Sequence, residues 1–284
     1  MVPLTKKGGF RLACFRTEDH VDLYFEEEGK GKPVVLIHGW SASRKHFKKQ
    51  INELAKYHRV ICYDLRGHGD SSRVEQGLTM DQFAKDLRDL LTYLKLEDVS
   101  LVGWSMGTHI IWEYVKNYGC DNIESLCFID MTPKLLTDEE WDLGLFGDFK
   151  HEKNLGTLAS IATDWETHTQ GFVPAMFAPT FDDSEMLQWC FGEAEKNTPH
   201  VMLAMWIAMA LQDYREILPK ISVPSLITYG AKSFYRKETS EYLQAQIPDA
   251  TLVRFEQSGH APQIEEAEKF NDTLLKFLGK VKAV

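Results

Sequence analysis

Residues 99–118 read VSLVGWSMGTHIIWEYVKNY, and the organisation of this stretch decides the fold. It opens with an apolar run of strand length and closes with a helical pattern, and Gly103-Trp104-Ser105-Met106-Gly107 joins the two. A serine on so sharp a strand-to-helix turn has its hydroxyl exposed at the edge of a sheet, because the small flanking residues let the backbone bend. Ser105 is therefore a candidate nucleophile, and the plainer alternative is a serine that only shapes the turn.

Working outward, PVVLI is a second apolar run and ends on His38-Gly39-Trp40. Acyl transfer needs two N–H donors, fixed in advance, for the negative oxygen of its tetrahedral intermediate. The backbone N–H groups of Trp40 and Met106 are the expected pair, with Gly39, Gly103 and Gly107 supporting the two turns and the His38 ring packing beneath its loop. Further along, Gln257-Ser258-Gly259-His260 follows the strand pattern ATLVRFE. An imidazole on that loop reaches a serine at the same sheet edge, so His260 is the expected general base. His46, His58, His109, His151, His168 and His200 stand in helical or loop contexts and read as surface or packing groups.

Strand patterns occur at 10–16, 21–26, 33–38, 59–64, 98–103, 123–130, 223–229 and 250–255. Most are continuously apolar, as in strands buried on both faces. Helical patterns lie at 80–95, 106–118, 238–246 and 262–278; in the first, Phe83, Leu87, Leu90, Leu91 and Leu94 share one face, with Thr79 or Asp81 near the N-terminal cap. Two leading strands followed by this alternation predict an α/β fold, a mostly parallel sheet with helices on both faces. The rhythm breaks from Met131 to about Pro219, where helical segments rich in Trp, Met and Phe replace strands. Residues 1–130 and 220–284 are thus expected to form the core domain, and 131–219 an inserted helical cap.

The chain has 284 residues, 44% of them hydrophobic, enough to bury a sizeable core. A net charge of -10 argues against a nucleic acid or an anionic membrane as partner, since both demand a clustered positive field. The five cysteines have no C-x-x-C spacing, which suits a reducing cytoplasm and suggests neither a disulfide framework nor a zinc site. The first fifteen residues contain no apolar run of a signal peptide, and the longest apolar run, Val201 to Leu211, reads as a buried helix too short to span a bilayer. The oligomeric state is not legible in these patterns.

HGW at 38–40, YDLRGHGDSS at 63–72, GWSMG at 103–107 and SGH at 258–260 occur in this order, and in this the chain resembles the α/β-hydrolase superfamily. The likeness is to its capped branch of esterases, cofactor-free haloperoxidases and carbon-carbon bond hydrolases. It implies an eight-stranded sheet, a Ser-acid-His triad and an oxyanion hole at Trp40 and Met106. Relatives that open epoxides or remove halide carry aspartate as nucleophile, and Ser105 argues against both activities. The usual acid position, in a G-x-x-D pattern after the strand that follows the cap, reads Gly230-Ala231-Lys232-Ser233 here. A smaller set of relatives places the acid after the preceding strand, where CFID ends on Asp130, so Asp130 is the expected acid; its alternative is a turn-capping residue before Thr132-Pro133. Asp64, beside Arg66, reads as a structural carboxylate.

The expected activity is a serine hydrolase acting on an ester-like bond of a small hydrophobic acyl substrate, with no metal or organic cofactor. Carbon-carbon cleavage, perhydrolysis or ligand sensing on the same residues are the alternatives. Trp104, Met176, Met202 and Met205 are the expected pocket residues, with Met186 a further candidate, because Trp and Met make an adaptable apolar lining.

Overall fold

Apolar runs that leave no face for water form the middle of a nine-stranded sheet. The computed structural model describes residues 5–7 and 10–279. Strands β1 (Thr5–Lys7), β2 (Phe10–Arg16) and β3 (Asp22–Glu28) form an antiparallel ribbon at one edge. The other six, β4 (Pro33–Ile37), β5 (Arg59–Tyr63), β6 (Val99–Trp104), β7 (Ile123–Ile129), β8 (Ser225–Gly230) and β9 (Ala250–Phe255), run parallel. All eight strand patterns read from the sequence are present, and the short β1 adds a ninth. Strands β6 and β8 are buried at every residue, while β9 closes the far edge and is partly exposed.

The strand order is β1-β2-β3-β5-β4-β6-β7-β8-β9. The chain passes from β4 outward to β5 and then returns across β4 to β6, so the loops leaving β4 and β6 diverge at the carboxyl end of the sheet. Open α/β sheets bind ligands in the crevice at such a reversal. Trp40 and Ser105 stand on these two loops.

Helices α1 (Lys48–Leu54) and α10 (Ala267–Phe277) cover one face, and α2 (Met80–Tyr93) and α3 (Met106–Tyr118) the other. The period-two alternation of strands divides the sheet between them. Val34, Leu36 and Val102 pack with Ile51 and Leu274, whereas Val35, Ile37 and Leu101 pack with Phe83 and Ile110. Thr79 caps α2 by accepting the Gln82 N–H at 3.2 Å. The apolar face of α2 also carries buried Asp86, which accepts Arg66 Nε at 2.6 Å and the guanidinium again through its other oxygen.

Arg66 joins Asp86 to Asp19, which anchors the loop after β5 to two other elements. Replacing Arg66 by methionine leaves a buried carboxylate unpaired, which costs about 3–5 kcal/mol. Burial already raises Asp86 to about 6 despite the arginine. Without its partner the carboxyl takes up a proton more readily still, so urea unfolding should find a smaller loss at pH 5 than at pH 8. A loss independent of pH would contradict this account.

Residues 131–219 contain four α-helices, α4 (His151–Thr163), α5 (Trp165–Ala175), α6 (Ser184–Glu195) and α7 (Pro199–Ala210), and no strand. α7 is apolar on every side; it buries Met202, Met205 and Trp206 and leaves Ile207 39% exposed. No helix among the described residues is long and apolar enough to cross a membrane. The chain returns to the sheet past Pro219 and Pro224, and α8 (Lys237–Gln246) follows β8. The pattern at 262–278 divides into α9 (Pro262–Glu265) and α10 at Glu266, whose backbone leaves the helical region. The break is tied to the preceding loop: Glu266 accepts the Gln257 N–H and the Ser258 hydroxyl, and Glu265 accepts the Gly259 N–H.

Candidate active site

Ser105 occupies the turn between β6 and α3 with φ 54° and ψ -123°, a region that non-glycine residues rarely enter. The turn is held by Ser105 N–H on the Ile129 carbonyl at 3.1 Å and by Thr108 Oγ1 on the Gly103 carbonyl at 2.8 Å. Its tightness demands glycine: a Cβ on Gly103 would lie 2.5 Å from the Gly107 carbonyl oxygen. The loop after β4 comes equally close, and a Cβ on Gly39 would lie 2.9 Å from the Ser105 Cβ. Neither the Trp40 nor the Met106 backbone N–H has a hydrogen-bond partner among the described residues.

The His38 ring locks the loop of Trp40. Nδ1 donates to the Gly39 carbonyl at 2.8 Å and Nε2 accepts the Leu65 N–H at 3.0 Å. Burial depresses its basicity, so it stays neutral. The Trp40 indole donates to the Met202 carbonyl at 2.9 Å and meets Trp165, Phe172 and Trp206 edge to face. These contacts couple the loop to α5 and α7.

Asp130 follows β7 in the left-handed region, at φ 47°. Its Oδ2 lies 2.7 Å from His260 Nδ1 and also accepts the Ser233 hydroxyl at 2.5 Å, while Oδ1 accepts the Gly230 N–H at 3.3 Å. A carboxylate can only accept, so Nδ1 carries the proton and Nε2 presents its lone pair. Ser233, which stands where relatives carry the acid, thus orients the carboxylate of Asp130. Ser105 Oγ has no hydrogen-bond partner among the described residues, and such bonds often tighten only with substrate bound. The His260 ring is flanked by Phe234 at 4.5 Å and Tyr235 at 5.7 Å.

The backbone of His260 is pinned from two sides. Its N–H donates to the Met176 carbonyl at 2.7 Å and its carbonyl accepts the Trp104 indole at 2.8 Å. Glu265 completes the clamp by accepting the N–H groups of Gly259 and Ala178, both at 2.8 Å. Burial pushes the Glu265 carboxyl up to about 7, against the pull of those hydrogen bonds. A folded-state value above the ordinary 4.5 means that the folded chain holds the proton more tightly. Glu265 therefore lowers stability as pH rises from 4.5 to about 7. Thermal unfolding across that window should show this decline in the wild type, and Glu265→Gln should lack that part of it; parallel profiles would contradict the assignment.

Ser105, His260 and Trp40 line one cavity of about 370 Å³. Its walls are largely aromatic and aliphatic, with Leu135, Phe149, Phe172, Trp206, Met209 and Phe234 among them, and Ser160 and His168 add polar atoms on the side of α4 and α5. The four residues expected in the pocket are not part of this lining. Trp104 points to the opposite face of the sheet, where its indole holds the His260 carbonyl. Met176 contributes its carbonyl to the same clamp, and Met202 and Met205 lie in the core beneath α7. Met186 lies in a separate groove beside α1. His168, read from the sequence as surface or packing, lines the cavity stacked between Trp165 and Phe172.

A family model described as the α/β-hydrolase fold matches residues 32–267, a span that contains Trp40, Ser105, Asp130 and His260. This chain belongs to the α/β-hydrolase family. Among curated members, the non-heme chloroperoxidase CPO-A1 of Kitasatospora aureofaciens is 31% identical over 93% of this chain and 98% of its own. Among solved structures of the family, an esterase from Exiguobacterium antarcticum superposes with a TM-score of 0.88 at 29% identity, covering 94% of this chain and 98% of that one. A bromoperoxidase from Bacillus anthracis superposes at 0.89, also at 29% identity, with 94% and 99% covered. The loops after the parallel strands β4, β6, β7, β8 and β9 carry Trp40, Ser105, Asp130, Ser233 and His260. Sequence reasoning passed over Phe234, Tyr235 and Glu265, whose only signals were their positions close to Ser233 and His260 in the chain.

Proposed function

We propose that this α/β-hydrolase cleaves carboxylic ester-like bonds of small hydrophobic acyl substrates through an acyl-enzyme on Ser105. The observation that carries the reading is the hydrogen bond of 2.7 Å between His260 Nδ1 and Asp130, beside a cavity that Ser105 and His260 both line. In this reading Nε2 of His260 takes the Ser105 proton as Oγ bonds to the substrate carbonyl carbon. The carbonyl electron pair moves onto oxygen, which the N–H groups of Trp40 and Met106 hold. Asp130 stabilises the imidazolium. The intermediate collapses, the C–O bond to the leaving alcohol breaks, and that oxygen receives the proton from His260. Water then gives a proton to His260 and attacks the acyl carbon, and the released Ser105 Oγ recovers the proton.

Residues 131–219 act as a cap in this account, and residues 1–130 and 220–284 as the core that carries the chemistry. The apolar walls contributed by the cap suit an aliphatic or aromatic acyl group. Turnover of p-nitrophenyl esters of increasing chain length tests the activity: sustained release of p-nitrophenol is expected, and a single slow turnover that leaves a persistent adduct would point to a sensor instead. Phe172→Ala and Met209→Ala should shift the preferred chain length, at about 1–3 kcal/mol per methylene contact. Met205→Leu, in the core, should leave the preference unchanged. Identical profiles across all three would remove the cavity from the account.

The haloperoxidase names of two relatives favour a second reading on the same residues, in which hydrogen peroxide replaces water against the acyl-enzyme and releases a peracid. Peracid formation that outpaces hydrolysis at equal concentrations of peroxide and ester would select it.

A further inference from the structure

A second and larger cavity, of about 710 Å³, opens between α1, α6 and α9, and it shares no lining residue with the cavity beside Ser105. Its apolar wall is formed by Ile51, Met186, Trp189 and Ile264. Lys45, Lys48 and Lys49 line it as well, an unusual concentration of positive charge in a chain of net charge -10. Only one carboxylate, that of Glu26, is among the lining residues, and it accepts the buried Arg44 guanidinium at 3.0 Å. Lys45 lies within 4.0 Å of carboxylates of Asp70 and Glu193. Among the described residues, Lys48 and Lys49 have no such partner; Lys49 Nζ is held by the Ile264 carbonyl at 3.3 Å, which keeps its charge against the apolar wall.

An apolar trough of this size is complementary to an alkyl chain, and two ammonium groups without counter-ions beside it are complementary to one anionic head. We propose that this groove is a second ligand site, which takes an amphipathic carboxylate such as a medium-chain fatty acid. The charge pattern decides against a neutral lipid. The proposal is independent of the chemistry assigned to Ser105.

Decanoate is the probe. The full chain is first treated with a long-chain alkyl fluorophosphonate, which fills the cavity beside Ser105 if that serine is the nucleophile, and decanoate is then titrated by calorimetry and tryptophan fluorescence. Saturable one-site binding is expected, with decyltrimethylammonium binding far more weakly. Lys48→Glu combined with Lys49→Glu should weaken decanoate by about tenfold, as reversal of two exposed charges implies. Trp189→Leu should retain binding and lose most of the fluorescence change, because Trp189 lies in the wall. No measurable binding would overturn the proposal, as would binding insensitive to the two lysine substitutions, a fluorescence change that survives Trp189→Leu, or a dimer that buries Trp189. Failure of the phosphonate to react would count against the proposed function alone, since the same variants decide the groove on untreated protein.

Discussion

Asp130→Asn is expected to lower kcat by about 10⁴ while leaving the fold and substrate binding in place. Asn keeps the shape of the carboxylate, but its amide also donates, and an –NH2 facing His260 favours the tautomer with the proton on Nε2. That imidazole has no lone pair for the Ser105 proton, and no charge remains to stabilise the imidazolium. The Ser233 hydroxyl, 2.5 Å from Asp130 Oδ2, supplies the complementary test. Ser233→Asp in the Asp130→Asn background returns a carboxylate to within reach of His260 Nδ1, so part of the lost rate should return. Ser233→Asp alone should be impaired, because two carboxylates would compete for one imidazole at contact distance. Wild-type activity in Asp130→Asn would remove the acid from the account.

Ser105→Ala should have the largest effect, a fall in kcat of about 10⁶, the scale on which members of such a triad act as a unit. Combining it with Asp130→Asn should cost little more than Ser105→Ala alone, since the acid and base have no role without the nucleophile. The residual rate would come from the Trp40 and Met106 donors and from binding. Steady-state kinetics of the single and double variants, with circular dichroism to confirm folding, checks both statements. Additive losses would mean that the two residues do not serve one reaction.

The strands and the turn of Ser105 were legible because each rests on short-range physics. A short, β-branched run such as VVLI is the pattern of a strand buried on both faces, and the glycines around Ser105 answer to contacts that no Cβ fits. The position of Asp130 was legible for a different reason: GAKS offers no carboxylate, and the alternative lies one strand away in the same sheet. What that reading lacked was the part played by Ser233, since a hydroxyl that orients a carboxylate leaves no mark of its own in the sequence.

The pocket was not legible, and α7 explains why. A helix that is apolar on every side has no face that points to its neighbour, so Met202 and Met205 could not be told from Trp206 and Met209, which line the cavity. Trp104 misled in a related way. Strand alternation sends it to the face opposite Ser105, where it supports His260 through the sheet.

The most direct test of the account is intact-protein and peptide mass spectrometry after reaction with a fluorophosphonate probe. One adduct per chain is predicted, on the tryptic peptide from Leu96 to Lys116 at Ser105, and it should be absent from Ser105→Ala and slowed in Asp130→Asn. An adduct on a different serine, or labelling that persists in Ser105→Ala, would contradict the proposal that Ser105, His260 and Asp130 form the catalytic centre.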